Sequence, residues 1–124
     1  MLNLKTITDT RGSLTVIERL PFDIERVYYL HHIDPKATRG GHAHRELRRL
    51  MIAICGGFSL TIRDRKGYRD IRMDDPTTGL LIDPLEWLEL HEFTPDAVVL
   101  VLASAEHDET DCIRDFAEFK RLAR

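Results

Sequence analysis

The spacing of turn signals constrains this chain most. Short segments rich in β-branched and aromatic residues recur about every ten positions, bounded by Gly, Pro and Asp. Ser13–Arg19, Glu25–Ile33, His42–Arg45, Arg49–Cys55, Phe58–Asp64, Tyr68–Met73, Gly79–Ile82, Trp87–Phe93 and Val98–Ala103 read as strands. Gly56-Gly57 reads as a tight hairpin between two of them, and Lys66-Gly67 as a further turn. This rhythm is that of an all-β sandwich or barrel. Only the tail differs. Ile113, Phe116, Phe119 and Leu122 recur at helical spacing with Asp111 as a candidate cap, so a short C-terminal helix is expected. Its apolar face would pack on the barrel or on a partner subunit. The 124 residues fit a single domain over 1–124 with a real hydrophobic core.

Charge and hydropathy narrow the function by exclusion. Asp and Glu number 21 against 18 Lys and Arg, for a net charge of -3, which argues against a nucleic-acid binder. The longest apolar run, Ala97 to Ala103, is too short to span a membrane. The N-terminus shows no basic region followed by an apolar one, so a cytoplasmic protein is expected. Cys55 and Cys112 lie far apart and are expected to be free thiols.

The segment Arg39-Gly-Gly-His-Ala-His44 carries the most chemistry. Alternate residues of a strand share a face, so His42 and His44 project together. They suit either a metal ion or paired proton transfers on an anionic ligand. A His-x-His pair after a glycine turn, in an all-β chain of this size, points to a jelly-roll or cupin barrel with its ligand in the mouth. A metal-binding cupin needs a carboxylate a few residues later and another histidine downstream. Here Arg48 stands four residues past His44, and Glu89 holds the downstream position. A trio of His42, His44 and Glu89 is the surviving metal alternative. The balance favours proton carriers.

An ordered set of short motifs extends this reading. It comprises Asp9-Thr-Arg-Gly-Ser-Leu14, Pro21-Phe22, Arg26-Val-Tyr-Tyr29, the histidine segment, Gly79-Leu80, Pro84 with Trp87, Val101-Leu-Ala-Ser104, Asp108-Glu-Thr-Asp111 and Ile113-Arg114. Together they resemble the nucleotide-sugar 3,4-ketoisomerases, the WxcM-like cupins, over nearly the whole chain. The resemblance implies conversion of dTDP-4-keto-6-deoxyglucose into its 3-keto isomer, which is then aminated. It also implies a metal-free barrel and a homodimer that exchanges N-terminal β-structure.

Moving a ketone from carbon 4 to carbon 3 needs a base at carbon 3, a stabilised enediolate and a proton returned to carbon 4. No redox cofactor is required. The expected roles are His44 as base, His42 as proton shuttle and Tyr29 as hydrogen-bond donor to the sugar oxygens, with Tyr28 packing on the other face. Arg11, Arg26 and Arg39 are candidates for the pyrophosphate and sugar. Trp87, by stacking on the thymine, and Glu89 complete the candidate substrate contacts, although Trp87 equally suits the core. Arg49 is either structural or at the mouth. His31 and His32 are expected to face solvent, and His107 to be structural. Leu88 stands where some relatives carry a polar residue after the tryptophan. A nucleotide-sugar 3,5-epimerase, a non-catalytic sugar-binding cupin and a metal-dependent cupin are the competing classes.

Overall fold

The computed structural model describes residues 1–123. Its strands are β1 (Leu2–Asn3), β2 (Lys5–Asp9), β3 (Gly12–Val16), β4 (Arg26–Leu30), β5 (Arg39–His44), β6 (Arg49–Cys55), β7 (Phe58–Asp64), β8 (Gly67–Met73), β9 (Thr78–Ile82), β10 (Trp87–His91), β11 (Val98–Ala103) and β12 (Cys112–Ile113). One α-helix, α1 (Phe116–Leu122), follows them. Two five-stranded sheets form, ordered β1-β9-β6-β11-β4 and β12-β5-β10-β7-β8, and β2-β3 stands apart as a two-stranded sheet. The all-β jelly-roll expectation holds, with the short C-terminal helix. The two sheets face each other but do not close into a barrel. No helix among the described residues is long and apolar enough to cross a membrane.

The inner faces meet over one core that includes Met51, Ala53, Phe58, Leu60, Leu80, Leu88, Leu90, Val99 and Val101. The first sheet also buries its outer face. Leu50, Ile52 and Leu102 lie there under Leu2, Leu4, Ile17, Leu20 and Phe22. This double burial explains why β6 is almost uniformly apolar instead of alternating. On the outer face of the second sheet, Ala43, Trp87 and Ile113 are covered by Phe119 and Ala123.

Three sequence expectations need correction. Gly56-Gly57 does not close a hairpin, because β6 pairs with β9 and β11 while β7 pairs with β8 and β10. These glycines carry the chain from one sheet to the other. The helix is capped by Asp115, whose side chain accepts from the Ala117 N–H, and not by Asp111. The Ser13–Arg19 segment is shorter than expected and pairs with β2, a strand its threonine-rich sequence concealed.

The entry into β5 depends on Gly40 and Gly41, at φ +88° and +74°. A Cβ on Gly40 would lie 2.7 Å from the Leu88 carbonyl oxygen. The β5–β10 register shifts at the same level: Leu88 pairs with His42 and Glu89 with Gly40, so Gly41 is an extra residue on β5. Such a kink re-aims the following residues, and here they are the histidines.

Candidate active site

His42 and His44 both turn into the space between the sheets. Their ring centroids are 5.2 Å apart, with the ring planes nearly perpendicular. Ala43, between them, packs outward against Trp87 and Ile113. The shared face expected from alternation is thus present, fixed by burial of Ala43 on the opposite side.

Asp111 orients His44. Its Oδ2 lies 3.0 Å from His44 Nδ1. A carboxylate only accepts, so Nδ1 carries the proton and Nε2 keeps its lone pair. Asp111 is itself fixed by the Glu46 N–H at 2.9 Å and the Leu47 N–H at 3.2 Å. A short 3-10 helix, Glu109–Asp111, delivers it, capped by the Asp108 side chain. The pairing of Cys112 with His44 across β12 and β5 sets the register.

The opposite sheet supplies cations. Arg49 begins β6 on the inner face, in step with Met51 and Ala53, and is only 3% exposed. Arg26 begins β4 and stacks its guanidinium 4.5 Å from the centre of the Tyr28 ring. Arg26, His44, Glu46, Leu47 and Asp111 line a cleft that opens toward the segment from Ala105 to Asp108.

This setting keeps both histidines neutral. Burial pushes His42 below the usual histidine range, and Arg49 adds to the effect. His44 is pushed down to about 4 by burial, then Arg49, then His42, which together outweigh the opposing pull of Asp111. A neutral, oriented imidazole buried beside a fixed cation is equipped to take a proton from a carbon acid and to hold it near an anion.

Some expected residues fall elsewhere. Tyr29 is 61% exposed on the outer face, beside His31. Tyr28 is the tyrosine that turns inward, because it pairs with Val101 and packs on the core. Trp87 is buried under α1, with its ring centroid 5.1 Å from that of Phe116 and 5.5 Å from that of Phe119. Its Nε1 donates to Glu89 Oε1 at 3.2 Å. Both residues therefore sit on the outside of the second sheet, while Leu88 and Leu90 face inward. A metal trio of His42, His44 and Glu89 does not form. Arg39 is exposed at the far end of β5, about 16 Å of strand from His44. Arg11 is exposed in the β2–β3 turn and pairs with Asp9 at 2.7 Å. His107 stands at the mouth, 3.3 Å from Glu109. Within one chain, His42, His44 and Arg26 come together, joined by Arg49, for which a structural place and the mouth are both open from sequence, and by Tyr28 and Asp111, expected as a packing residue and a helix cap.

Fold and site define the class: a double-sheet cupin-like protein with a buried histidine pair at one end of its interior. The chain belongs to the FdtA family, described as WxcM-like, C-terminal, whose model matches residues 1–124. It is 40% identical over 98% of its length, and 89% of the relative, to the TDP-4-oxo-6-deoxy-alpha-D-glucose-3,4-oxoisomerase of Aneurinibacillus thermoaerophilus. It superposes on the 3,4-ketoisomerase QdtA of Thermoanaerobacterium thermosaccharolyticum with a TM-score of 0.95 at 40% identity, covering 98% of this chain and 90% of that one. That structure is a histidine-to-asparagine mutant in complex with TDP-4-keto-6-deoxyglucose. NovW, a 4-keto-6-deoxy sugar epimerase from Streptomyces spheroides, shares the fold at a TM-score of 0.75. At 12% identity, over 89% of this chain and 65% of that one, the likeness is one of fold alone.

Proposed function

We propose that this protein is a 3,4-ketoisomerase acting on TDP-4-keto-6-deoxyglucose, with residues 1–124 as one catalytic domain. The observation that carries this reading is the inward histidine pair, one ring oriented by Asp111 and held neutral, in a chain that matches ketoisomerases over nearly its full length. His44 takes the proton from carbon 3. His42 returns a proton to carbon 4. Tyr28, rather than Tyr29, supplies a hydroxyl to the sugar. Arg26, at the mouth, suits the pyrophosphate. Every step is proton transfer between oxygen, carbon and nitrogen, so no redox cofactor is called for. The free thiols Cys55 and Cys112 suit a reducing compartment, and we place the activity in the cytoplasm.

Incubation with TDP-4-keto-6-deoxyglucose in deuterated water, followed by NMR, tests the reading. The expected result is a 3-keto sugar labelled at carbon 4. Label at carbon 5 would instead identify a 3,5-epimerase, a chemistry that the His44–Asp111 pair and Tyr28 could also serve.

The working unit in this proposal is a homodimer. The β2–β3 hairpin leaves Ile7 and Leu14 exposed, and β4, an edge strand, leaves Val27 and Tyr29 exposed. An isolated hairpin with bare apolar residues is marginal in water, whereas laid on a second copy it would bury them. Arg11 would travel with it, which is how that residue could reach a substrate. Light scattering should give twice the chain mass, and the double variant I7E/L14E should give one chain mass. A wild-type monomer would refute the dimer.

A further inference from the structure

The inner face of the first sheet carries two arginines at one level. Ala103 pairs with Arg26 on one side and with Arg49 on the other. Arg26 lies at the mouth, whereas Arg49 is buried deeper, facing the histidines. A buried guanidinium is normally matched by a carboxylate. Among the described residues Arg49 forms no salt bridge; the Tyr28 hydroxyl is the polar side chain bonded to it, and its Nε donor is unpaired. On the facing sheet His42 Nδ1 is likewise unpaired and buried. Each wall thus carries one buried polar atom without a partner, and the Arg49 charge is near enough to act on both histidine rings. A structural role does not explain this. Met51 and Ala53 share the face of Arg49, and an apolar residue there would cost nothing in desolvation.

We infer that Arg49 is a catalytic residue whose guanidinium fork holds the two vicinal oxygens of the enediolate. The inference rests on the ketoisomerase reading and deepens it. When His44 removes the carbon-3 proton, the C–H electron pair becomes the C3=C4 double bond. The carbonyl π pair moves onto the oxygen of carbon 4, which becomes negative. The oxygen of carbon 3 then gives up its proton, the oxygen of carbon 4 gains one, and carbon 4 is protonated as the ketone forms at carbon 3. The sum is an isomerisation with no net gain or loss of electrons. Negative charge passes between two neighbouring oxygens, and a planar fork with parallel N–H donors matches both without moving. The charge is already in place and desolvated, so it favours the enediolate over the neutral ketone.

The test is steady-state kinetics on R49Q and R49K with TDP-4-keto-6-deoxyglucose, alongside thermal unfolding. R49Q is expected to lower kcat about 10²–10³-fold with KM little changed. R49K keeps the charge but not the fork, and about a tenfold fall in kcat is expected. A folded R49Q with near wild-type kcat overturns the proposal. So does a loss confined to KM, which would make Arg49 a ground-state binding group. If R49Q does not fold, R49K decides, and a wild-type kcat in that variant overturns the fork. Wild-type protein inert on this substrate would overturn the ketoisomerase reading itself, and would be seen before any variant is assayed.

Discussion

Replacing His44 with asparagine is expected to abolish exchange of the carbon-3 proton with deuterated water, with kcat falling about 10²–10⁴-fold. Asparagine at this position can still bond Asp111, so the loop that carries Asp111 keeps an anchor and the protein should fold. It cannot accept a proton. H42N is expected to behave differently. With His44 present, carbon-3 hydrogen still washes out, but the 3-keto product forms slowly because the return to carbon 4 is impaired. The opposite pattern, with washout lost in H42N and kept in H44N, would exchange the two roles. The pH profile gives a further check. With its pKa lowered to about 4, His44 is neutral above that value, so it is already a base at pH 5. The acid limb of kcat/KM in the wild type should therefore lie well below the ordinary histidine range. Removing Arg49 relieves part of the depression and should move that limb upward.

Local alternation was enough to place the histidines but not their partners. Arg39-Gly-Gly-His-Ala-His44 has small residues at the positions between the rings, so the face is unambiguous once the strand is recognised. Arg26-Val-Tyr-Tyr-Leu30 is apolar or aromatic after its first residue, and its parity is set by pairing with β11, which a single segment does not reveal. That is why Tyr28 and Tyr29 were exchanged. The parity of Trp87-Leu-Glu-Leu-His91 was readable: Leu88 and Leu90 mark the inner face and leave Trp87 and Glu89 outside. Arg49 stays ambiguous between a structural place and the mouth for the opposite reason. It heads an apolar run buried on both faces, where hydrophobicity carries no period. Asp111 is 67 residues from His44, and its acidic neighbours made a helix cap the simpler local reading.

The Asp111–His44 bond should be worth nearly as much to turnover as the histidine itself. In D111N the side chain keeps one oxygen and gains an amide that can only donate. If the oxygen faces Glu46, the amide donates to His44 Nδ1, which forces the proton to Nε2 and removes the lone pair from the atom that must act as base. If the oxygen faces His44, the amide meets the Glu46 N–H, a solvent-exposed donor that water can take up. The first arrangement costs rate and also strips the buried Leu47 N–H of its acceptor, about 1–3 kcal/mol of stability; the second keeps the tautomer but withdraws the carboxylate charge that stabilises the imidazolium formed when His44 takes its proton. A wrong tautomer in a comparable carboxylate–histidine pair lowers turnover about 10⁴-fold, so a fall of 10²–10⁴-fold in kcat is the expected result here. KM should change little, because Asp111 bonds the Nδ1 side of the ring, away from the Nε2 that would meet carbon 3. The sign of the pH effect separates positioning from simple proton affinity. Asp111 raises the His44 pKa, so its loss drives that value further down and cannot bring the acid limb of kcat/KM into the range where activity is measured. The deficit should therefore persist as a lowered plateau at every pH above that limb. A D111N enzyme within about threefold of wild-type kcat would show that packing around Ala43 and the strand register suffice to hold the ring, and that the carboxylate is dispensable to the base.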